Sequence, residues 1–546
     1  MVDDLPTGYY LDNFLYFTEF VQNHYSDLLN STEDRFCAEF SDLSLAEQRL
    51  FVRLISRKGP YFRTDKLRYD EIDNLDLALD GLVERGFVSR NHLHDAQAWL
   101  NLATKPEVIA NFEVAARSSR KAELCEAVDQ DYELDVIQAR LPFDLVEPAH
   151  GETLKVFKLL FFGNLYQDLT EFVLRDLGVS PFEQYPLDAT GRYFDQRSVV
   201  DGMLEAYGFQ ELAHSAIETP DINLGQFTRE YLLGIESDDP QLSRRYSKIF
   251  NRVARQLERE SETNLALALY HKSNLTPARE RLTRLLAGRG EPELALKTCE
   301  TIVSSAQSEA EHEFAVNFGA RLCKKFGLDA ARLPDREENL FPVENICLAQ
   351  VEGERVETTV AKSLSQAGGV ALHVENGLLP GLFGLYFWDI IFVPVRGVFF
   401  NPFQRGPTDL FTDQFFRSRQ RLIEQRLSEM GSVSRVEHRI LDTYRHKTGV
   451  ANHFVMWRTL TPELISMSLA RMPIEKIRAI FIRLMRDLKA NRSGFPDLVV
   501  FPVKSGYELV EVKGPGDTLQ DNQKRWLRFF ATHGIHARVL NVTWQL

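Results

Sequence analysis

GFPDLVVFPVKSGYELVEVKGPGDTLQDNQKRWLRFF, residues 494–530, predicts the central elements of the C-terminal part of this chain. Two apolar, β-branched runs, LVVFPV (498–503) and YELVEVK (507–513), predict two strands. The intervening KSG (504–506) predicts a turn, so we expect the strands to pair as a hairpin. A Gly-Pro-Gly sequence then ends the second strand, and we expect a helix from about Leu519.

Charged side chains are expected to converge at one end of this hairpin. Because side chains alternate between the two faces of a strand, Glu511 and Lys513 share one face, and Val512 points to the opposite face, into the core. Asp497 follows Pro496 at the start of the partner strand, where pairing can bring it beside Glu511 and Lys513. The sequence therefore predicts two carboxylates and one amine within a small volume.

These side chains suit metal-assisted hydrolysis of a phosphodiester. Carboxylate oxygens are preferred ligands of Mg²⁺ and Mn²⁺, and the bound metal polarises a phosphate and activates a water. Lys513 can hold the attacking water or screen the charge of the transition state. For the E-x-K triplet alone, a surface salt bridge between Glu511 and Lys513 is the alternative. The wider combination, with Pro-Asp before the first strand and Gln523 on the following helix, is more restrictive and favours hydrolysis.

The size and composition of the chain indicate a multi-domain globular protein. It has 546 residues, and single hydrophobic cores stop growing at about 250–300 residues, so we expect at least two domains. Its five cysteines are widely spaced, which argues against a zinc ribbon or a disulfide framework and fits a reducing cytosol. No basic region precedes an apolar core at the N-terminus, and no apolar stretch approaches the ~20 residues of a membrane span. We therefore expect a cytoplasmic protein without a membrane partner.

The charge of the chain is unevenly distributed. The formal net charge of -14 by itself argues against a nucleic-acid partner. Residues 241–290, however, contain eleven Lys or Arg and four Asp or Glu, and residues 471–494 contain seven against two. Local basic patches can hold phosphates on an acidic protein, although solvated helix faces have the same composition. Arg117, Arg120 and Lys121 are predicted at a helix N-terminus, where free N–H groups favour phosphate, with an exposed polar loop as the alternative.

Up to about residue 336 the pattern is mostly helical. In residues 1–94, apolar residues at three- and four-residue steps predict either a winged-helix-like arrangement or a plain helical bundle. Residues 137–340 read as helical hairpins similar to tetratricopeptide units, without a strict period. Beyond a boundary near 336, β-branched runs such as VETTVAKSL (356–364) appear. We predict a multi-domain protein, mostly α-helical over its N-terminal two-thirds, with a C-terminal α/β domain at 341–546.

Several blocks of the chain resemble one nuclease family. The C-terminal stretch resembles the PD-(D/E)xK nucleases, specifically their VRR-NUC branch. The chain as a whole resembles the bacterial form of the Fanconi-associated nuclease family. The blocks that carry this likeness are spread over nearly the whole length: YYLDNFLYF (9–17), FVRLISRKGPYFRTDKLRYDEI (51–72), HVENGLLPGLFGLYFWDIIF (373–392) and DLFTDQFFRSR (409–419).

The resemblance implies a domain order and an activity. The C-terminal domain is then restriction-endonuclease-like, preceded by an N-terminal helical domain (1–94), a SAP-like DNA-binding element (95–136) and a tetratricopeptide-like domain (137–340). The implied activity is that of a structure-selective 5′-flap endonuclease and 5′-to-3′ exonuclease on branched DNA, in the repair of interstrand cross-links. The implied location is at the bacterial nucleoid, or in the nucleus if the source is eukaryotic.

The resemblance also assigns metal ligands. It implies that Glu375, Asp497 and Glu511, with the main-chain carbonyl of Val512, hold two ions of Mg²⁺ or Mn²⁺. A surface acid in a loop is the alternative for Glu375.

Further residues receive catalytic or supporting roles by the same resemblance. Lys513 is the implied catalytic lysine, and Gln523 is expected to orient the site. Asp517, in the loop after Lys513, is expected to support the ligands from behind. Asp389, on the helix that follows Glu375, is expected to be structural.

Some features of the family are missing or unplaced in this sequence. No set of cysteines and histidines matches the ubiquitin-binding zinc finger of long eukaryotic members. The basic residues with which relatives grip a 5′ phosphate are not clearly placed, and Arg279, Arg281 and Arg284 are the candidates. Two alternatives stay open: a junction-resolving nuclease of the same superfamily and a non-catalytic helical DNA-binding scaffold. We expect a monomer, or a dimer induced by DNA.

Overall fold

The structure is a computed structural model, and it describes residues 6–92, 94–113, 119–169, 181–188, 191–219, 222–366 and 368–545. Arg117, predicted to contact phosphate, lies outside the described residues. Contacts divide the chain into two compact units. The first comprises Met1–Val179 and Asp195–Val200, and the second comprises Ser180–Phe194 and Asp201–Leu546.

The first unit combines short helices with a small sheet. Its strands β1 (Phe62–Arg63), β2 (Val88–Arg90) and β3 (Leu145–Pro148) pair antiparallel in the order β1-β3-β2. Such a sheet beside helices is a feature of winged-helix arrangements, and a plain helical bundle lacks it. The described α-helices are Tyr9–Tyr25, Ser31–Ser41, Leu45–Ile55, Leu75–Glu84, Ala96–Leu102, Lys105–Asn111, Lys121–Asp131, Leu134–Arg140 and Gly151–Phe162.

The sheet of the first unit joins segments that are distant in the sequence. Strand β3 follows residue 136, whereas β1 and β2 precede residue 94, so the sheet spans both predicted domain boundaries. Those boundaries stay predictions. Local sequence still sets the helix ends, since Asn30 with Glu33 and Ser44 with Glu47 each form a reciprocal capping box.

The second unit begins with a helical region. Its consecutive helices pack against one another, in the manner predicted from the hairpin pattern. A π-helical turn, Thr228–Leu232, follows one short helix. The α-helices of this region are Arg197–Glu218, whose residues up to Val200 belong to the first unit, Leu224–Phe227, Pro240–Arg259, Thr263–Lys272, Ala278–Gly288, Pro292–Ser304 and Glu309–Phe326.

The C-terminal region is built on a mixed sheet. In the described residues, five strands pair in the order β4-β8-β7-β6-β5: β4 (Val343–Leu348), β5 (Val370–His373), β6 (Leu498–Phe501), β7 (Glu508–Lys513) and β8 (Ala537–Trp544). Strands β5, β6 and β7 are antiparallel, and β7, β8 and β4 are parallel. The helices are Val356–Gln366, Leu378–Tyr386, Trp388–Ile391, Asp413–Ser428, Val433–Lys447, Pro462–Arg471, Ile474–Arg486, Leu488–Asn491 and Asp521–Thr532.

Each face of this sheet packs against its own apolar cluster. Val499 and Leu509 face a large core that includes Trp526 of the helix Asp521–Thr532. Leu498, Val510 and Val512 face a smaller core on the opposite side, closed by Val360. The alternation predicted for residues 507–513 is therefore confirmed, because Val512 is buried in this smaller core.

One run with strand-like composition is helical. VETTVAKSL forms the helix Val356–Gln366, which packs against the sheet. Val356, Val360 and Leu364 recur at steps of four and contact the smaller core, so burial of one helix face outweighs the β-branched composition. No helix among the described residues is long and apolar enough to cross a membrane.

Candidate active site

Strand register places the two carboxylates of the predicted hairpin opposite each other. Leu498 pairs with Val510 in the antiparallel β6–β7 ladder, so one further step puts Asp497 across from Glu511. The Oδ2 atom of Asp497 accepts a hydrogen bond of 2.8 Å from the main-chain N–H of Val512. The Asp497 carboxylate is therefore held at the end of β7.

Glu511 is the buried centre of the site. Its residue is only 1% exposed, because β7 lies in the middle of the sheet under the helix Asp521–Thr532. The Oε1 atom lies 2.9 Å from Nζ of Lys513 and accepts a hydrogen bond of 2.6 Å from Nε2 of Gln523. The Oε2 atom is buried and has no hydrogen-bond partner in the part of the chain that the structure describes.

Burial and mutual repulsion raise the pKa values of both carboxyls. Desolvation, then the charge of Asp497, raises the pKa of Glu511 to about 7, although the hydrogen bond and charge of Lys513 act in the opposite direction. The pKa of Asp497 is also raised, chiefly by desolvation. The positive charge of Lys513 alone therefore does not offset the burial and mutual repulsion of the two carboxylates. A further cation would favour their charged forms.

Main-chain hydrogen bonds hold Glu375 beside Asp497. The N–H groups of Val374 and Glu375 donate hydrogen bonds of 2.8 and 2.9 Å to the main-chain oxygen of Asp497. Glu375 adopts a left-handed conformation, with φ of 34°, and its exposed carboxylate accepts a hydrogen bond of 3.2 Å from Asn376. Its charge raises the pKa values of Asp497 and Glu511, so the structure brings all three predicted acids together.

A further acid, Glu357, was not among the predicted site residues. It lies in the first turn of the helix Val356–Gln366, and its charge raises the pKa of Asp497. Its position depends on how that helix packs on the sheet, for which the sequence offers no local signal. Asp389 forms an ion pair with Arg426, in agreement with a structural role. Asp517 accepts a hydrogen bond of 3.0 Å from the N–H of Gly514, and its support of the metal ligands stays a prediction.

The donor set fits a divalent cation. The buried Oε2 of Glu511 lacks a partner among the described residues, and the pKa of Asp497 is raised. A cation bound by both carboxylates would provide the missing partner and would stabilise their charged forms. Within the described ranges, no three His, Cys, Asp or Glu side chains are already arranged around one point as a metal site. Asp497 and Glu511 are therefore the residues that would hold a cation, with Glu375 and the carbonyl of Val512 as further oxygen donors.

Comparison with known proteins decides the family. A Fanconi-associated nuclease 1 homolog from Pseudomonas aeruginosa is 34% identical over 551 residues, covering 98% of this chain and 96% of the relative. This chain belongs to the Fanconi-associated nuclease family. Family models of the VRR-NUC domain and of the FAN1 HTH domain match residues 432–544 and 8–89.

Other relatives of this chain agree with its membership of the family. A crystal structure of paFAN1 bound to DNA with a two-nucleotide 5′ flap and a gap is 33% identical, covers 100% of both chains and has a TM-score of 0.89. A homolog from Arabidopsis thaliana is 26% identical, covering 98% of this chain and 67% of the relative. The chain is thus a metal-dependent DNA nuclease, and the predicted fold class, a helical N-terminal part before an α/β nuclease domain, is confirmed.

The arginines of this chain that were predicted to bind DNA are paired with glutamates. Arg279 forms an ion pair of 2.6 Å with Glu311 and Arg284 one of 2.8 Å with Glu280, and Arg281 forms a very short one with Glu258. Lys121 donates a hydrogen bond of 2.7 Å to the carbonyl of Asn101, and Arg120 is the N-cap residue of the helix Lys121–Asp131. Contact of these side chains with DNA stays a prediction.

The two basic stretches of the sequence meet in the second unit. The pKa of Lys248 is lowered, first by desolvation and then by the charges of Arg244, Arg245 and Lys489. The first three residues lie on the helix Pro240–Arg259, whereas Lys489 lies eight residues before Asp497. We call these four residues the Lys248 cluster. The cluster contains three basic residues of the stretch 241–290 and one of the stretch 471–494.

Proposed function

We propose that this chain is a structure-selective nuclease that hydrolyses phosphodiesters near 5′ flaps of branched DNA, as endonuclease and 5′-to-3′ exonuclease, in the repair of interstrand cross-links. The observation that carries the proposal is the buried Glu511 carboxylate, opposite Asp497 and 2.9 Å from the Lys513 ammonium. Two similar solved structures are of paFAN1 with 5′-flap DNA, which supports a flap as the substrate.

The side chains of the site have separate tasks. Asp497 and Glu511 would hold Mg²⁺ or Mn²⁺, as two ions, which would supply positive charge to the phosphate and lower the pKa of a water. Lys513 stabilises the negative charge that develops on the phosphate in the transition state. Gln523 fixes Lys513 and Glu511 relative to each other, because one amide contacts both. Glu375 adds negative charge on the side of Asp497.

The Lys248 cluster is proposed to hold the phosphates of a duplex arm. Lys248 and Lys489 have no acidic partner within ion-pair distance in the described parts of the chain, so they can bind phosphate without giving up another contact. Arg279, Arg281 and Arg284 would first have to leave their glutamates. We propose that the protein acts as a monomer or as a dimer that forms on DNA.

End-labelled DNA substrates test this function. We compare a 5′ flap, a nicked duplex and a four-way junction of the same sequence, with Mg²⁺ or Mn²⁺, and map the cuts at nucleotide resolution. We expect metal-dependent cuts near the base of the 5′ flap, which Asp497→Ala abolishes. Paired cuts in the junction with an intact flap would instead support a junction-resolving nuclease, and no metal-dependent cleavage of any substrate would favour a non-catalytic scaffold.

A further inference from the structure

Two arginines, a histidine and an aromatic ring meet at a second place in the nuclease region. The guanidinium carbon of Arg492 lies 4.5 Å from the centre of the Phe411 ring, and this ring lies 5.2 Å from the ring of His453. Gly406 packs closely on His453, since a Cβ atom added to it would lie 3.2 Å from the histidine Cδ2. We call Arg405, Phe411, His453 and Arg492 the Arg492 cluster.

The positive charge of this cluster is not neutralised. Neither Arg405 nor Arg492, both exposed, has an ion pair with a carboxylate in the ranges that the structure describes. The neighbouring acid Asp409 is bound by the buried Arg419 at 2.8 Å. Desolvation and then the charges of Arg492 and Arg405 lower the pKa of His453 to about 4, so at neutral pH this ring is an uncharged hydrogen-bonding group.

Chain connectivity places the cluster close to the catalytic carboxylates. Arg492 ends the helix Leu488–Asn491, five residues before Asp497. Five residues span at most about 18 Å when fully extended. The intervening loop is also anchored at the site, because the N–H of Phe495 donates a hydrogen bond of 3.2 Å to Asn376, the neighbour of Glu375. At a rise of about 3.4 Å per nucleotide, this distance corresponds to no more than about five nucleotides.

The shape of the cluster suits a phosphate better than an isolated surface arginine does. The cation–π contact with Phe411 holds the Arg492 guanidinium 4.5 Å from the ring centre and so restricts its movement. A guanidinium fixed in this way can donate two parallel hydrogen bonds to phosphate oxygens. His453, whose ring contacts the same Phe411 ring, offers a further hydrogen-bonding group.

We propose that the Arg492 cluster binds backbone phosphates of the DNA within about five nucleotides of the scissile bond. The proposal rests on the proposed function, since it names the part of the DNA that this surface contacts. Contacts to phosphates position a substrate without reading its sequence, so the cluster holds any branched DNA in register with Asp497 and Glu511.

A scan of neutral phosphate replacements tests the proposal. Flap DNAs carry one methylphosphonate at each position up to five nucleotides either side of the scissile bond, and their affinity for the full chain is measured in EDTA. For the wild type we expect one or two positions at which the replacement weakens binding about tenfold, the usual effect of losing a charged hydrogen bond. Arg492→Ala should lose affinity and become insensitive to those positions. The slope of log affinity against log salt should fall by about 0.9 per lost contact.

Matched variants separate this contact from general effects. Arg445→Ala removes an exposed arginine with a nearby acid, Asp442 at 3.6 Å, and should behave as wild type. Phe411→Leu keeps apolar packing but removes the stacking, so it should give an intermediate loss. Arg492→Gln keeps the aliphatic part of the side chain. It is used in place of Arg492→Ala if Arg492→Ala has a lower thermal midpoint than the wild type.

Two outcomes are distinguishable. If Arg405→Ala and Arg492→Gln keep the wild-type salt slope and remain sensitive to every methylphosphonate, the Arg492 cluster does not bind DNA phosphates, whatever the cleavage assay gives. If the wild type instead cleaves no flap in the presence of metal, the proposed function fails, while the binding map still decides the assignment of the cluster.

Discussion

The Nε2 atom of Gln523 donates a hydrogen bond of 2.6 Å to Oε1 of Glu511, and so links the helix Asp521–Thr532 to strand β7. The Oε1 atom of the same amide accepts hydrogen bonds from Nζ of Lys513, at 3.1 Å, and from the main-chain N–H of Gln520, at 2.9 Å. One side chain therefore fixes the carboxylate, the lysine and the start of the helix relative to one another.

Replacing Gln523 is expected to disturb both the metal site and the helix. Gln523→Ala should lower metal affinity about 10–100-fold, because side chains that orient metal ligands have effects of this size. It should also lower the thermal midpoint, since loss of a helix cap costs about 1 kcal/mol. Cleavage measured over a Mg²⁺ titration and calorimetry check the two effects. Gln420→Ala, which removes an exposed glutamine paired with Glu424, is the control. An unchanged Mg²⁺ requirement in Gln523→Ala would contradict the role of Gln523.

Lys513 is expected to act in catalysis more than in binding. Lys513→Ala should reduce kcat about 10²–10³-fold, the usual effect of removing one group that stabilises charge in the transition state. Affinity for flap DNA in EDTA should stay near that of the wild type, because Lys513 is largely covered and bonded to Glu511 and Gln523. Lys504→Ala, in the exposed turn after β6, serves as the control. A variant at position 513 that loses binding and keeps kcat would be inconsistent with this role.

The buried charge of Glu511 is expected to destabilise the metal-free protein at high pH. The pKa of Glu511 is 4.5 as a free group and about 7 in the folded state, so the native protein binds more protons between these values. Stability should therefore fall as the pH rises from 4.5 to 7, by about 3 kcal/mol in total. Below pH 4.5 this loss is absent.

Glu511→Gln tests that pH dependence. The variant cannot ionise at this position, so in EDTA at pH 8 its thermal midpoint should exceed that of the wild type, and the difference should shrink at pH 5. Mg²⁺ should stabilise the wild type more at pH 8 than at pH 6, because metal and proton compete for the carboxylate. Glu352→Gln, an exposed acid, is the control. Equal midpoints of Glu511→Gln and wild type at pH 8 would show that the buried charge has no such cost.

The cations of the helical region are expected to differ in their contribution to DNA binding. Lys248→Ala removes a side chain that needs no rearrangement to meet a phosphate, so the salt slope of binding should fall by about 0.9. Arg281→Ala removes a guanidinium bonded to Glu258, so it should change the salt slope less and the thermal midpoint more. Binding titrations from low to moderate salt measure both slopes. A larger fall of the salt slope in Arg281→Ala than in Lys248→Ala would instead favour the arginines selected from the sequence as the residues that bind DNA.

The hairpin and its charged residues could be predicted because they depend on local features. Strands β6 (Leu498–Phe501) and β7 (Glu508–Lys513) lie within the predicted runs, and the next helix begins at Asp521 rather than near Leu519. Alternation along a strand is a geometric necessity, so the shared face of Glu511 and Lys513 followed from position alone.

Features that depend on tertiary packing could not be predicted in this way. Glu357 approaches Asp497 only because the helix Val356–Gln366 packs across the sheet, and its β-branched composition suggested a strand. The ion pairs of Arg279 and Arg281 join residues more than twenty positions apart, Glu311 and Glu258. Such pairing is invisible in a count of basic residues, whereas the Arg284 pair at i and i−4 could have been noticed.

Diffraction from crystals of the protein soaked in Mn²⁺ is the sharpest test of metal binding by Asp497 and Glu511, because anomalous scattering locates the ion independently of activity. We expect a peak within about 2.1 Å of carboxylate oxygens of both Asp497 and Glu511, a typical metal–oxygen distance, and no such peak in Asp497→Ala. Mn²⁺ bound elsewhere, with these two carboxylates free of metal at saturating concentration, would contradict the account.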